Sequence, residues 1–162
     1  MSGIKLNENS ASKYQYVVYD EYNDVFEDLG IDSYEAYDDA LQIAKEGGVN
    51  ILSNKELVGI LIQTELLEVV GGLWVSYDND SFSFDIAISK KHQGKGLSHR
   101  LIKAAMSEYN IQNDTYQDMH DGKALPMQVD VINPLLAATL EKHYGFTVYS
   151  QVGPDRVIMT RK

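Results

Sequence analysis

The chain has 162 residues, 44% of them hydrophobic, which suits one domain with one sizeable core. Its formal net charge of -10 at pH 7 disfavours binding to nucleic acid or to anionic membranes, because their phosphate groups would be repelled. It contains no cysteine, which excludes disulfides, thiolate metal sites and a cysteine nucleophile.

The start of the chain and its histidines set further expectations. Residues 1–12 are polar and lack the apolar core of a secretory signal, so we expect a flexible tail at the start of one domain that spans 1–162. No apolar run approaches the roughly 20 residues that a membrane helix needs, and the four histidines lack paired metal spacing. We therefore expect a cytoplasmic protein without a metal site, and no membrane or nucleic-acid partner.

The first part of the chain predicts one strand followed by two acidic helices. Residues 14–19, YQYVVY, are rich in residues that favour strands. Residues 20–46 contain ten acidic residues and one basic residue. Apolar residues still recur there at helical spacing, which predicts a short helix near 21–29 and a longer one near 33–46.

The middle of the chain predicts an antiparallel meander of three strands. Apolar runs cover 57–64 and 69–77. The sequence DND at 78–80 favours a turn. The third run, 81–89, alternates strictly between Phe or Ile and smaller or polar residues, as a strand with one buried face would.

The last part predicts helix, strand, helix and a closing hairpin. The predicted helices start at 97 and cover 134–144, and the predicted strands cover 127–132, 146–151 and 155–162. Residues 110–125 are polar, and either an extension of the first helix or a loop is consistent with them. The order β-α-α-β-β-β-α-β-α-β-β indicates an α/β fold with a mixed sheet.

The junction between the third strand and the next helix reads HQGKGLSHR over residues 92–100. The first backbone N–H groups of a helix lack partners within the helix and favour an anion, and glycine lets a phosphate approach the backbone. Lys95 adds a positive charge. A phosphate site and a simple tight turn are both consistent with these residues. A P-loop fits badly, because its first glycine would fall at Ser89, and a dinucleotide fingerprint fits badly, because its third glycine would fall at His99.

The residues around this turn resemble a known family. IAISKKHQGKGLSHRLI is similar to the acyl-CoA signature of the GNAT superfamily of N-acetyltransferases, Gln/Arg-x-x-Gly-x-Gly/Ala, with Gln93, Gly96 and Ser98 at the defining positions. Serine at the last position departs from the pattern. VDVINPLLAATLEKHYGF resembles the later segment of the family, including Asn133 and the Gly-Phe pair at 145–146. The resemblance implies a GNAT-like α/β fold with a largely antiparallel central sheet and flanking helices.

The resemblance also implies the cofactor and its contacts. Members of the family transfer an acetyl group from acetyl-CoA to an amine by direct attack in a ternary complex. The backbone of the strand before the turn pairs with the pantetheine arm, and the N–H of Ile88 is the candidate donor to the developing oxyanion. The candidate acetyl-CoA contacts are Ile86, Ala87, Ile88, Gln93, Gly94, Lys95, Gly96, Leu97, Ser98 and Asn133.

The acid and base that the chemistry could use are less clear from the resemblance. Many members have a tyrosine four residues before the glycine of the Gly-Phe pair, where this chain has Glu141. Tyr144 lies about one helical turn further on and is the alternative proton donor. Some members carry a base glutamate at the position of Phe82, so Asp85, the only acid within that strand, is the candidate base here. A water chain to solvent is the other possibility.

The first two helices of the family border the acceptor cleft. Acidic residues there would attract a cationic acceptor, and Tyr34 and Tyr37 could line its site. The expected activity is therefore N-acetylation of a primary amine, on a cationic small molecule or a basic peptide, by a monomer or a homodimer. The alternative is a GNAT-fold protein with weak or no catalysis that binds another protein through its acidic face.

Overall fold

A computed structural model describes residues 13–20, 24–77 and 81–161. In these residues seven strands form one sheet, and four helices cover it. The strands are β1 (Tyr14–Val18), β2 (Glu56–Gln63), β3 (Glu68–Tyr77), β4 (Phe82–Ile88), β5 (Met127–Val131), β6 (Phe146–Gln151) and β7 (Val157–Arg161). The helices are α1 (Asp24–Leu29), α2 (Ser33–Glu46), α3 (Leu97–Met119) and α4 (Pro134–Tyr144), and a 3-10 turn, Lys90–His92, precedes α3.

The sheet has the strand order β1-β2-β3-β4-β5-β7-β6. Every neighbouring pair is antiparallel except β4 and β5, which are parallel and share a single register pair, Phe82 with Met127. The predicted order of elements and the mixed, largely antiparallel sheet with flanking helices are therefore confirmed.

Each face of the sheet buries its own set of side chains. Phe82, Phe84 and Ile86 on β4 pack in the same cluster as buried residues of α3 and α4. Ala87 points to the other face, where the cluster includes buried alanines of α2. The helix approaches β3 closely there, because a Cβ on Gly72 would lie 3.3 Å from the Cβ of Ala40. The alternation predicted for β4 follows from this division of the core.

The sequence of residues 110–125 is consistent with either a helix or a loop. In the structure most of this segment is helical, since α3 extends to Met119. The side chain of Asn113 accepts a hydrogen bond from the backbone N–H of Leu125 at 2.8 Å, and the hydroxyl of Tyr109 donates to the carbonyl of Leu125 at 2.6 Å. These bonds tie the chain that follows the helix back onto α3, so the helix is stabilised by contacts that local periodicity does not reveal.

Helix α4 begins and ends at the residues that its sequence favours. The Asn133 side chain accepts hydrogen bonds from the N–H groups of Leu135 and Leu136, which caps the first turn. Gly145 ends the helix in the left-handed conformation, with φ at 77°. Three expectations, a tail at 1–12, a helix start at 21–23 and a turn at 78–80, fall outside the described residues.

Candidate active site

A cleft of about 500 Å³ opens where β4 and β5 separate beyond the pair of Phe82 and Met127. Its walls come from both strands, from the starts of α3 and α4, from the end of α2 with the loop that follows, and from Arg156 before β7. Strands that diverge leave backbone groups without a ladder partner on the facing edges, which a ligand can then use. The cleft is therefore bounded by a strand edge on each side and by a helix start at one end.

The direction of the β4 backbone follows from its hydrogen bonds. The N–H of Ser89 donates to the carbonyl of Val70 at 2.8 Å, and the N–H of Phe82 donates to the carbonyl of Pro126 at 2.8 Å. Because successive residues of a strand direct their N–H groups to opposite sides, those of Ile86 and Ile88 point away from β3 and into the cleft.

The same alternation corrects one expectation. The N–H of Ala87 points towards β3, where this residue is in register with Gly72. Ala87 lines the cleft, but its backbone N–H does not point into the cleft and so cannot pair with a pantetheine arm there, as the resemblance implied. The backbone donors that β4 directs into the cleft at this level belong to Ile86 and Ile88.

The glycine turn gives the cleft one end at the start of a 23-residue helix. Gly94 and Gly96 have φ values of 78° and 75°, a conformation that side chains with a Cβ rarely adopt. Apart from the glycine itself and its two chain neighbours, no described heavy atom lies within 4 Å of the position that a Cβ would take at either residue. Gln93 donates from Nε2 to the carbonyl of Ile88 at 3.0 Å. The turn is thus tied to β4, and its backbone faces open space that an anion can enter.

Lys95 does not line the cleft, although sequence places it within the turn. Its Nζ donates to the hydroxyl of Tyr14 on β1 at 3.3 Å, and this hydroxyl lies 2.7 Å from Nδ1 of His92. The structure therefore directs the ammonium of Lys95 towards β1. Leu97, Ser98 and the other turn residues line the cleft, and their contact with acetyl-CoA stays a prediction.

The two predicted proton donors lie in different surroundings. The hydroxyl of Tyr144 is 2.8 Å from Nδ1 of His99, and His99 lines the cleft. Burial raises the pKa of Tyr144, so its phenol keeps its proton at neutral pH. Glu141 is exposed, and neither it nor Tyr144 is among the described residues that line the cleft. Tyr144 reaches the cleft only through His99.

Asp85 is a largely buried acid in the cleft wall. Its Oδ2 lies 3.3 Å from Nζ of Lys55, which itself is in the loop between α2 and β2. Burial raises the pKa of the Asp85 carboxyl, the charge and hydrogen bond of Lys55 lower it, and the charge of Asp130 raises it, with a net rise. A carboxyl of this kind can take up a proton more readily than an exposed one.

Tyr34 and Tyr37 are exposed, and neither is among the described residues that line the cleft. Tyr37 instead contacts the ring of Tyr19, with the ring centroids 5.8 Å apart. Helix α2 reaches the cleft with its last turns, through Ile43 and the two glycines after it. The structure therefore does not bring the predicted aromatic side chains to the cleft, because they are exposed near the start of the helix.

The cleft residues that escaped prediction from sequence include five titratable or charged ones: Lys55, His92, His99, Asp130 and Arg156. His99 directly follows the signature and was used only to exclude another motif. Lys55 and Arg156 are isolated cations in loops, and nothing in their local sequence marks them. Among the described residues no group of histidine, aspartate and glutamate could hold a metal ion, and no helix is long and apolar enough to cross a membrane.

No protein-family model matches the chain, and no curated protein matches it in sequence. Solved structures do resemble it. ElaA from Escherichia coli superposes with a TM-score of 0.57 at 12% identity, covering 92% of this chain and 98% of that one. A GNAT-family acetyltransferase from Streptococcus pneumoniae gives 0.54 at 12% identity, covering 91% and 98%. The ribosomal-protein-S18-alanine N-acetyltransferase from Escherichia coli gives 0.54 at 14% identity, covering 91% and 92%.

These similarities, at low identity but over nearly the whole length of both chains, establish the fold. The chain has the fold of the GNAT superfamily, as its glycine turn and the order of its elements predicted. The cleft between β4 and β5 and the turn before α3 are features of this chain itself.

Proposed function

We propose that this protein is an N-acetyltransferase that transfers the acetyl group of acetyl-CoA to a primary amine by direct attack in a ternary complex. The observation that carries the proposal is the direction of the backbone N–H groups of Ile86 and Ile88, which point into a cleft that ends at the glycine turn. A strand edge beside a helix N-terminus suits an extended ligand with a phosphate group at one end.

The residues of the cleft fit acetyl-CoA. The backbone of Gly94 and of residues 96–98 is accessible at the start of α3, where a pyrophosphate would be stabilised by N–H groups and the helix dipole. Ile86 and Ile88 offer backbone donors to the pantetheine arm, and Asn133 lines the cleft at the start of α4 while it caps that helix. When bound, acetyl-CoA supplies an activated acetyl group as a thioester.

The proposed chemistry assigns a role to three groups of the chain. Asp85 takes the proton of the acceptor ammonium, which must be neutral to attack. The N–H of Ile88 stabilises the negative charge that develops on the thioester oxygen. Tyr144, whose phenol is protonated and bonded to His99, supplies a proton towards the departing thiolate. Glu141 is the alternative donor, and its exposure favours Tyr144 over it.

The proposed acceptor is a cationic small molecule or a basic peptide. The acids of α1 and α2 do not line the cleft, so they do not contact an acceptor bound there. The support for a cationic acceptor is instead the net charge of -10, whose long-range field attracts cations. The similarity to an enzyme named for acetylating an alanine of a ribosomal protein makes a peptide amine a reasonable candidate.

A thermal shift with acetyl-CoA tests the donor site. A ligand that binds only the folded state at about 100 times its Kd stabilises it by about 2.7 kcal/mol, so the melting temperature should rise clearly. Desulfo-CoA, which keeps the pyrophosphate, should produce a similar rise, and adenine alone should not. No rise with acetyl-CoA would contradict the proposal and favour the alternative of a protein-binding module that uses its acidic face.

A further inference from the structure

A buried ion pair lies in the wall of the cleft. Nζ of Lys55 lies 3.3 Å from Oδ2 of Asp85, and the two side chains are only 6% and 12% exposed. The same Nζ donates to the hydroxyl of Ser83 at 2.9 Å. All three residues line the cleft. A lysine seldom becomes this buried unless its charge is compensated, so the pair is a specific feature of the cleft wall.

The pair joins two separate parts of the fold. Ser83 and Asp85 are two residues apart on β4, so their side chains lie on the same face of the sheet, opposite to that of Phe82 and Phe84. Lys55 comes from the loop after α2, immediately before β2. One ammonium therefore binds two side chains of β4 and fixes the loop against the strand. This fixes the direction of the Asp85 carboxylate as well as its charge.

Asp85 is also opposite a second carboxylate. Phe82 and Met127 are the register pair of the parallel strands, and three residues further along each strand lie Asp85 and Asp130. They are therefore at the same level on the same face, across the opening of the cleft. Asp130 is held by Arg156 through a bidentate pair and is more exposed. On β3 the residue opposite Asp85 is Trp74, which is uncharged.

These charges act on Asp85 in opposite directions. Burial and the charge of Asp130 favour the protonated carboxyl, and Lys55 favours the carboxylate. Without Lys55, a carboxyl so placed would be neutral over a wider pH range and could not accept a proton from an amine. The hydrogen bond from Lys55 to Ser83 holds the ammonium beside Asp85, where its charge favours the carboxylate.

We propose that Lys55 is a positioning residue for the acetyl transfer: it holds the Asp85 carboxylate ionised and aimed into the cleft, so that Asp85 can deprotonate the acceptor amine. This inference rests on the proposed function. The first proton passes from the acceptor ammonium to Asp85, the amine nitrogen forms a C–N bond with the acetyl carbon, and the C–S bond breaks to release CoA thiolate. The nitrogen loses its second proton to solvent water, the thiolate takes a proton by way of Tyr144 and His99, and solvent then restores Asp85 and Tyr144 to their starting states. Lys55 keeps its protons throughout and forms no bond with the substrate.

The test is the pH dependence of kcat/KM in Lys55→Met, which removes the charge and keeps the length of the side chain. We expect the acidic limb of the profile to move up by about 1–3 pH units, the effect of losing an opposite charge at this distance. The loss of activity should therefore be large on the acidic side of the profile and small at high pH. Lys55→Arg should restore the limb towards that of the unmodified protein.

Two further variants separate this role from a structural one. Lys13→Met removes an exposed ion pair with Glu65 and should leave the profile unchanged. Asp130→Asn removes a charge that opposes Lys55, so its acidic limb should move down in pH. If Lys55→Met does not fold, Lys55→Gln keeps a hydrogen-bond donor without the charge and should still move the limb up. A uniform loss of activity at every pH, without a shift, would overturn the proposal.

A titration of the Asp85 carboxyl by carbon-13 NMR gives a readout that does not depend on activity. The carboxyl pKa should rise in Lys55→Met and in Lys55→Gln. An unchanged pKa in a folded variant would overturn the inference even if the enzyme is active. A raised pKa in a protein that acetylates no amine would instead contradict the proposed function and leave the electrostatic role of Lys55 in place.

Discussion

The hydroxyl of Tyr144 separates two accounts of how the thiolate leaves. We expect Tyr144→Phe to lower kcat by about 10²–10⁴-fold if this hydroxyl donates the proton, because a positioned general acid contributes that much. The ring and its packing remain, so KM for acetyl-CoA should change little. Steady-state kinetics on the purified variant measures both constants.

Glu141→Gln is the matched control for that experiment. Glu141 is exposed and outside the cleft, so the change should have little effect on kcat. The reverse pattern, with Glu141 important and Tyr144 not, would show that Glu141 has taken over the family's tyrosine position. If neither variant alters kcat, the thiolate leaves without help, which suits a thiol with a pKa of about 8.5. The raised pKa of Tyr144 places any activity loss from its ionisation in the alkaline range.

At the scale of elements, the strand, turn and helix around the glycine turn make the donor site. Gly96→Glu puts a carboxylate where we expect pyrophosphate, and it should weaken acetyl-CoA binding at least tenfold, about 1.4 kcal/mol. Gly96→Ala is the control: it imposes the same backbone strain at φ 75° without the charge, and its methyl group meets open space. Calorimetry that gives equal affinities for the two folded variants would remove the pyrophosphate assignment.

Local patterns predicted the elements because most elements bury one face. The alternation over β4 and the stripe of apolar residues on α3 reflect the core directly. The separation of β4 from β5 left no such trace, since the two strands meet through a single register pair between distant parts of the chain. For the same reason the ion pair of Lys55 with Asp85 could not be predicted: one partner is a loop cation whose position depends on the whole fold.

The candidate site was predicted best where the chemistry uses backbone. Prediction of the positions of Ile86, Ile88 and the glycine turn required only that a strand be followed by a helix. The strand and the helix both form where the sequence predicted them. Side-chain roles depended on tertiary contacts. Tyr34 and Tyr37 had the right spacing for a helix, but spacing does not say which face of α2 meets the cleft. Because both side chains point outward, direct contact between them and an acceptor in the cleft is disfavoured.

At the scale of the whole molecule, the net charge of -10 should favour cationic acceptors through long-range attraction. We expect kcat/KM to be higher for cationic amines than for acidic ones, and the difference to shrink as salt rises, because exposed charges are screened over roughly 8–10 Å. A series of acceptors of matched size, assayed from low to high ionic strength, measures this. Equal activity on acidic and basic acceptors at every salt concentration would show that the electrostatic field of the protein does not select the acceptor.

The central claim is transfer of acetyl from acetyl-CoA to a primary amine. The most direct measurement is release of free CoA, with mass spectrometry of the acceptor, over a panel of polyamines, amino-acid amines, aminoglycosides, lysine peptides and peptides with a free N-terminus. The account predicts that at least one primary amine is N-acetylated with an equal amount of CoA released, and that Asp85→Asn abolishes most of this activity. Acetyl-CoA that is left intact with every amine, by a folded protein, would contradict the account.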